Sequence, residues 1–487
     1  MGESLRRELG LFRATMIGIG GTLSAGNFVI LGHAASLAGS TIVIVVFVCG
    51  IISLLTMFSY CELGTVIPHA GSEYTFAKVA YGGFISFLTG WFEWLSNMFY
   101  ATLSAIGVAY IISYVIPINV PLVAIFVVIL FAAVNIRGVK EVGTVETILT
   151  IVVLTILGIY AWNGWSYGLS MEEFKLSAPQ GLIGIFAATA YLFELYLGAE
   201  AVAVAQAEIK NPEKTIPRAM ILSSVILIIL YTTIVYVTLK VVPPETIAGQ
   251  TSPITFAAEQ IMGKLGAILV TIALAIAGLA ATNEAIMAQS RTVYALSRDG
   301  YFPKAFSKIH KRFGTPYVAV VLCSIFTIAF TSTGLVNFVV YAVNLGFILG
   351  FSIVNLSLIK LRKEKPRLKR PFKVPLYPFT PIAGIIISLT LLLFIDPWVM
   401  VLGAEATILA YLAYHFRMVG YHRIRIAIGG INLGIGCLAA LLSYLMKTGV
   451  VILSGIPSSL SEMVIQIFVL VSAVYLLAGV LNVTAKT

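Results

Sequence analysis

The chain has 487 residues, of which 59% are hydrophobic and only 11% are charged. Soluble domains carry about 25% charged residues, so the composition excludes an ordinary soluble domain and indicates a chain whose solvent is lipid. The net charge of +10 would suit a nucleic-acid partner, but its distribution along the chain argues for a topology signal instead.

Fourteen membrane spans are predicted where about 20 consecutive residues are predominantly apolar. In chain order they lie at 12–37, 41–66, 84–115, 120–136, 141–164, 181–207, 219–241, 264–296, 317–332, 334–361, 381–396, 398–416, 426–446 and 463–483. The predicted fold class is therefore an all-α polytopic membrane protein, with twelve transmembrane helices plus two at the C-terminal end.

The charged residues set the predicted orientation. When the N-terminus is placed in the cytoplasm, almost all lysines and arginines fall inside. The exceptions are Lys175, Lys240, Lys264 and Lys447. This bias follows the positive-inside rule and predicts a multi-pass protein of the cell membrane, with a cytoplasmic N-terminal segment, 1–11, and a basic cytoplasmic loop, 362–380. The positive residues then mark topology and leave no patch for nucleic acid.

The first span is interrupted by small and polar residues near its middle. Its run from Gly18 to Asn27 holds four glycines, a serine and an asparagine. Glycine costs about 1 kcal/mol in a helix interior and permits unwinding, so the run predicts a break in the helix. A small-residue seam for close helix packing is the alternative.

The sixth span carries a matching interruption. Its run from Tyr191 to Glu200 places a glycine and two carboxylates inside an apolar stretch. Broken helices in corresponding positions of two inverted repeats point to a substrate site at the membrane midplane. The two five-helix repeats would cover 12–164 and 181–361, followed by helices 11 and 12 at 381–416 and two extra helices at 426–483.

Unwound segments of this kind favour a zwitterionic guest. Lipid cannot satisfy their peptide groups, which are tolerated only where they line a cavity. Amides at the N-terminus of a half-helix attract a carboxylate, and carbonyls at the C-terminus of a half-helix attract an ammonium group. A site that offers both fits an amino acid.

Several stretches of the chain resemble one transporter family. They are Gly26-Asn27-Phe28-Val29, Pro68-His69-Ala70-Gly71-Ser72-Glu73-Tyr74 with Ala80-Tyr81-Gly82, Glu208-Ile209-Lys210-Asn211-Pro212 to Ile216-Pro217-Arg218-Ala219, Ser290-Arg291 to Tyr294-Ala295-Leu296-Ser297-Arg298-Asp299-Gly300-Tyr301-Phe302-Pro303, and Arg370-Pro371-Phe372-Lys373-Val374-Pro375. In this order they are similar to the amino acid–polyamine–organocation (APC) transporter superfamily, over roughly residues 9–416. The resemblance implies a LeuT-type fold, with two inverted five-helix repeats, broken helices 1 and 6, and alternating access.

The resemblance also implies substrate-binding residues. The substrate carboxylate would meet the amides of Ser24, Ala25 and Gly26. Its ammonium group would meet the carbonyls around Phe193, Tyr196 and Leu197, and Asn97 aligns with a pocket-lining position of span three. The full candidate set is Gly20, Ser24, Ala25, Gly26, Glu93, Asn97, Phe193, Glu194, Tyr196, Leu197 and Gly198.

The chain departs from the family pattern at positions that concern coupling and gating. Glu194 stands where the family has an aromatic gate, and Asn27 adds a polar side chain that the pattern does not explain. Val153 stands at the span-five position where proton-coupled members often carry lysine. Leu279 and Ala280 stand where sodium-coupled relatives have hydroxyls in span eight. Neither standard coupling device is therefore present.

Carboxylates within the predicted spans are the remaining candidates for coupling. They are Glu93, Glu146, Glu194, Glu200, Glu284 and Glu405. A central charge costs about 3 kcal/mol to insert, so these groups are expected to face the interior or to be protonated. Glu194 and Glu284 are the proton-coupling candidates, and Glu93 or Glu194 could instead bind a cationic group. A neutral, hydrogen-bonded structural role is the alternative for each, and is favoured for Glu200 and Glu405; Glu146 would be solvated.

The predicted function is secondary active transport of amino acids, by proton-coupled symport or exchange. The alternatives are a polyamine or organic-amine permease or antiporter of the same fold and, from another class, a channel or membrane receptor. No metalloprotease, nucleophile-elbow or phosphate-loop motif is present, so no enzyme activity, metal or cofactor is expected. The expected partners are an amino acid or related amine, protons as a candidate co-substrate, and the lipid bilayer.

Overall fold

The computed structural model describes residues 9–67, 73–138, 142–167, 174–204, 209–418, 424–448 and 458–484. Some features named above lie outside these residues. They are most of the N-terminal segment 1–11, the stretch 68–72, and Glu208.

Helices make up nearly all of the described chain. They are α1 (Leu11–Thr22), α2 (Ala25–Val29), α3 (Leu31–Ala38), α4 (Ile42–Val66), α5 (Glu73–Ala80), α6 (Gly83–Val115), α7 (Val120–Arg137), α8 (Val142–Trp165), α9 (Gly181–Leu192), α10 (Ala201–Val204), α11 (Pro212–Val241), α12 (Pro244–Ala248), α13 (Pro253–Arg298), α14 (Tyr317–Thr331), α15 (Val336–Glu364), α16 (Phe379–Leu391), α17 (Pro397–Met418), α18 (Ile424–Lys447) and α19 (Ser458–Thr484).

The lengths and outer faces of these helices are those of a polytopic membrane protein. Within the described ranges, ten helical stretches are long and apolar enough to cross a membrane, and three shorter apolar helices accompany them. Their outer faces expose large apolar side chains such as Leu122, Phe126 and Leu265. Such faces are stable in lipid and not in water. The predicted all-α membrane fold class is confirmed to this extent.

Most helix bounds lie close to the predicted spans, but three helices begin several residues earlier, among them α19, which begins at Ser458 rather than at 463. α11 begins at Pro212 rather than at 219, and its proline occupies the first turn, where a missing N–H is not needed. α13 begins at Pro253 rather than at 264. It bends at Gly263, which has φ 67° and ψ −167°, so the predicted start coincides with the kink.

At the centre of the bundle, α2 packs between the two long helices α6 and α13. α6 and α13 pack against each other, and both pack against α2. A Cβ atom added at Gly107 of α6 would lie 2.5 Å from the Gly26 amide nitrogen, and one added at Gly278 of α13 would overlap Ala25. Glycine at both positions therefore lets the two long helices approach the backbone of α2, which fixes the position of the break that precedes it.

A buried ion pair straps the loop after α15 to α4. Glu62 of α4 has a side chain that is 1% exposed. The guanidinium of Arg362 binds both of its oxygens, with Nε 2.8 Å from Oε1, and Arg370 Nε lies 3.1 Å from Oε1. The Val374 amide donates to Oε2 at 2.8 Å. We call this set of four residues the Glu62 strap.

A second, more exposed acidic contact joins α5 to the end of α13. Asp299 accepts hydrogen bonds from Lys78 Nζ at 2.5 Å and from the Tyr74 hydroxyl. Partial burial acts to raise the pKa of Asp299, but the hydrogen bonds from Lys78 and Tyr74 and the charge of nearby Arg298 outweigh it and lower that pKa below its ordinary value. Asp299 is therefore held as a carboxylate.

Candidate functional site

The first membrane crossing is broken between α1 and α2. α1 ends at Thr22, and Leu23 and Ser24 are extended, with ψ angles of 116° and 150°. The Ser24 hydroxyl accepts from the Gly26 amide at 3.2 Å and bonds the hydroxyl of Ser104 on α6 at 2.8 Å. This N-cap occupies one of the three amides predicted for a substrate carboxylate, so the amides of Ser24 and Ala25 are the two that the cap leaves.

The sixth crossing is broken between α9 and α10. After α9 the chain forms a 3₁₀ turn over Phe193–Tyr196, becomes extended at Leu197, and turns again before α10. Gly198 has a φ of +123°, which only glycine adopts readily. The Glu200 carboxylate accepts from the Gly198 amide at 2.9 Å and so stabilises the break as a local cap.

The two breaks lie directly against each other. A Cβ atom added at Gly198 would overlap the carbonyl group of Gly21, and one added at Gly21 would lie 3.1 Å from the Gly198 oxygen. Glycine is required at both positions because the two backbones meet without side chains between them. The interruptions noted in the first and sixth spans of the sequence therefore form one contact.

Asn27, unexplained by the family pattern, joins the two breaks. Its side-chain amide nitrogen donates to the Thr22 carbonyl at 2.9 Å, to the Tyr231 hydroxyl at 2.8 Å and to the Leu195 carbonyl at 3.4 Å. Tyr231 of α11 in turn donates to Thr22 at 3.0 Å. The carbonyl freed at the end of α1 thus has two donors, and Asn27 links it to the break in the sixth crossing.

Other freed carbonyls are bound by polar side chains that the sequence did not single out. The Tyr100 hydroxyl donates to Gly21 at 3.2 Å, and the Ser53 hydroxyl donates to Tyr196 at 3.4 Å. The Asn344 amide donates to the carbonyls of both Ala190 and Tyr191, at 2.9 and 3.0 Å. Of the carbonyls predicted to meet a substrate ammonium group, Tyr196 therefore already has a donor. The available signal was a polar residue inside an apolar span at the depth of the breaks.

Glu194 lies in the break of the sixth crossing and has no partner. Its side chain is 0% exposed, and neither carboxylate oxygen has a hydrogen-bond partner among the described residues. It lies within electrostatic range of the hydroxyls of Tyr100, Tyr191 and Tyr231. Tyr100 and Tyr231 bind carbonyls of the first break, so Glu194, within the break of the sixth crossing, interacts electrostatically with groups of the first.

Two further carboxylates line the first break. A Cβ atom at Gly21 would lie 2.8 Å from Glu284 Oε2, and one at Gly20 would lie 3.3 Å from Glu146 Oε1. Both glycines are thus lined by a carboxylate, from α13 and α8 respectively. The sequence proposed Glu284 for this region but placed Glu146 in solvent, because its contact with Gly20 depends on how α8 packs against α1.

The remaining candidates are placed elsewhere. The Glu93 carboxylate accepts from the Tyr74 amide at 3.0 Å and from the Thr292 hydroxyl at 3.3 Å, while the Asn97 amide donates to the Glu93 carbonyl within α6. Within the described chain no hydrogen bond joins Glu93 or Asn97 to the breaks. Glu405 is exposed on α17, so it does not face the interior, and protonation is the state that the prediction leaves for it.

An aromatic cluster covers the α9 side of the breaks. The Tyr191 hydroxyl donates to Asn337 Oδ1 of α15 at 2.6 Å. The Tyr191 ring packs edge-on against His33 of α3 and Tyr341 of α15, with centroid distances of 4.7 and 5.1 Å. These contacts hold α3, α9 and α15 together.

The fold and the paired breaks define a multi-pass membrane protein of the transporter class. The chain belongs to the amino acid permease family of the APC superfamily, whose sequence profile matches residues 9–413. It is 28% identical to the branched-chain amino acid permease BcaP of Bacillus subtilis, over 85% of this chain and 93% of the relative. It is 30% identical to the methylthioribose transporter of the same organism, over 79% and 87%, and 24% identical to the lysine-specific permease LysP of Lactococcus lactis, over 85% and 90%.

Proposed function

We propose that the chain is a secondary active transporter that moves amino acids across the cytoplasmic membrane by alternating access. Its N-terminus would be cytoplasmic, and the segments 12–164 and 181–361 would be its two inverted repeats. The observation that carries this proposal is the contact between Gly21 and Gly198, because two broken crossings that meet in this way bring the peptide groups freed by both breaks together.

The substrate would bind across that contact. Its carboxylate would take the amides of Ser24 and Ala25, which the Ser24 cap leaves, with support from the positive end of the helix that continues through α2 and α3. Its α-ammonium group would bind near the carbonyls of Phe193 and Leu197. The Tyr196 carbonyl already accepts a hydrogen bond from the Ser53 hydroxyl. It would have to give up this hydrogen bond before it could bind the substrate.

The substrate class includes amino acids and related amines. The relatives are named for branched-chain amino acids, lysine and methylthioribose, so family membership does not fix the substrate. A permease or antiporter of polyamines or other organic amines is the second candidate function, and the unpaired Glu194 favours it. Proton coupling would use Glu194 or Glu284, since the span-five and span-eight devices are absent.

Counterflow in proteoliposomes tests the proposal. Vesicles loaded with unlabelled amino acid should take up labelled amino acid faster than empty vesicles, and the uptake should saturate. Flux that neither saturates nor shows counterflow would indicate a channel and contradict the proposal.

A glycine variant tests the site within the same assay. Gly198→Ala should abolish counterflow, because its Cβ would overlap Gly21 and its φ is strained for alanine. Gly334→Ala is the matched control, since Gly334 also has a positive φ, of +66°, but has open space around it. Equal activity of the two variants would show that contact between the breaks is not needed.

A further inference from the structure

The carboxylate of Glu194 is buried at the junction of the two breaks without a single donor. It is fully enclosed, and neither oxygen is hydrogen-bonded within the described chain. An ionised carboxylate in that state has lost its hydration and gained nothing in return, so it must be neutralised. Either a proton or a cationic guest can do this.

Among the described residues, the groups that interact electrostatically with Glu194 carry no positive charge. They are the hydroxyls of Tyr100 on α6, Tyr191 on α9 and Tyr231 on α11. Of the other helices that pack on the 3₁₀ turn, α4 contributes Cys49, whose thiol donates to the Thr189 carbonyl, and α15 contributes Tyr341, which packs on Tyr191. The tyrosine hydroxyls of α6 and α11 are directed to the carbonyls of Gly21 and Thr22, so they are not free to neutralise the carboxylate.

Asn27, which binds the Tyr231 hydroxyl, carries a second buried acceptor that has no donor among the described residues. Asn27 uses its amide nitrogen on Thr22, Leu195 and Tyr231, and its Oδ1 atom is buried without a donor. These hydrogen bonds fix the orientation of the amide, so the side chain cannot rotate to bring Oδ1 to a hydrogen-bond donor. Glu194 and Asn27 therefore present acceptors alone, which is the complement of an ammonium group with its three N–H donors.

We propose that the Glu194 carboxylate is a shared site at which a proton and the ammonium group of a cationic substrate displace each other. The proposal rests on the proposed transport function and names its substrate class. This class is amino acids with a cationic side chain, or amines that carry an ammonium group. In the empty form the carboxyl group holds the proton. When R–NH₃⁺ binds, the O–H bond of Glu194 breaks, the proton leaves to water, and the carboxylate accepts from the ammonium group.

This displacement couples the two fluxes. Glu194 with its proton and Glu194 with a bound ammonium ion are both neutral overall. In either state the transporter can therefore switch the side of the membrane to which its site is open. The bare carboxylate is charged and unsolvated, and its burial opposes the same movement. The transporter would therefore return only when loaded, and would exchange one cationic group for one proton.

Binding calorimetry on the purified full chain tests this with two probes of equal length. Lysine carries the side-chain ammonium group and norleucine does not. Lysine should release close to one proton per molecule bound, measured from the dependence of the binding heat on the ionisation heat of the buffer. At acidic pH, its affinity should fall about tenfold for each decrease of one pH unit. Norleucine should release none.

Variants separate the role of Glu194 from an effect on folding. Glu194→Gln should remove the proton release and should weaken lysine binding at least tenfold more than it weakens norleucine binding. Glu405→Gln, an exposed carboxylate on α17, should behave as the parent protein. Size-exclusion and thermal unfolding profiles that match the parent would exclude a folding defect in Glu194→Gln, and Glu194→Asp should restore part of the proton release.

The possible failures are distinguishable. If lysine binds without proton release, or Glu194→Gln binds lysine as well as the parent does, this inference is overturned while transport stands. Proton uptake with norleucine would indicate symport of a neutral substrate and would overturn it as well. If no amino acid or amine binds or shows counterflow, the proposed function itself fails.

Discussion

Two buried glutamates in this molecule have opposite surroundings. Glu62 is 1% exposed and is bound by two guanidinium groups and a backbone amide, whereas Glu194 is 0% exposed and has no partner in the described chain. A buried carboxylate that is fully paired holds elements together, and its loss leaves its partners uncompensated. One that is unpaired gains no compensation for its burial, and inside a membrane span it is a candidate functional residue. Burial alone does not distinguish them; the partners do.

The largest expected effect is on the paired carboxylate. Glu62→Ala should lower the free energy of unfolding by about 3–5 kcal/mol, because Arg362 and Arg370 lose their counter-charge and the Val374 amide loses its acceptor. Denaturant or thermal unfolding in detergent measures this. Glu364→Ala removes an exposed pair with Lys360 at 3.7 Å and should cost less than about 0.5 kcal/mol. Similar costs for both variants would contradict the role given to the strap.

A second prediction concerns the polar support around the unpaired carboxylate. Asn27→Ala should lower the free energy of unfolding by about 1–3 kcal/mol, since the carbonyls of Leu195 and Thr22 each lose the hydrogen bond that Asn27 donates. Thermal unfolding in detergent measures this loss. Asn163→Ala is the control, because Asn163 is exposed and donates only within its own helix. An unchanged midpoint for Asn27→Ala would mean that the two breaks do not depend on their link.

The Asp299 contact should show a smaller, pH-dependent effect. Its carboxylate has a lowered pKa in the folded chain, so the contact contributes stability above the unfolded pKa of about 3.9 and loses it as pH falls through the lower folded value. Asp299→Asn should cost about 0.5–1 kcal/mol at neutral pH, a value that allows for solvent screening of the partly exposed Lys78. The difference from the parent, followed by unfolding at a series of pH values, should vanish in strong acid. A difference that grows on acidification would reverse the sign and refute the assignment.

The smallest expected effect on stability is at Glu194. Glu194→Gln should leave the free energy of unfolding within about 0.5 kcal/mol of the parent or raise it, because the variant removes a carboxyl group that has no donor to lose. The same unfolding measurement as for Glu62 checks this. A loss of stability close to that of Glu62→Ala would mean that Glu194 is structurally paired and would remove the contrast between the two residues.

The sequence predicted the helices and the interrupted runs because these depend on local composition. Apolar runs define membrane helices whatever their neighbours, and glycines inside them mark the interruptions at Leu23–Ser24 and around Gly198. The partners of the freed carbonyls could not be predicted in this way. Tyr231 and Asn344 lie far along the chain from the groups that they bind, so their roles depend on packing between helices.

The same limit explains why the surroundings of single carboxylates could not be predicted. Glu146 contacts Gly20 only because α8 packs against α1, and Glu405 is exposed because of the rotation of α17 about its axis. Periodicity in strongly apolar helices carries little information on which side faces inward, since lipid and protein interior are both apolar.

The bridge between Leu9 and Ile209 has a consequence for how the molecule moves. The Lys210 amide donates to the Leu9 carbonyl at 2.8 Å, and both bridge residues are buried. The chain entering the first crossing and the chain leaving the sixth are thus tied at one end of the bundle. Parting them would break a peptide hydrogen bond in an apolar setting, so α1 and the segment that begins at Ile209 should move together.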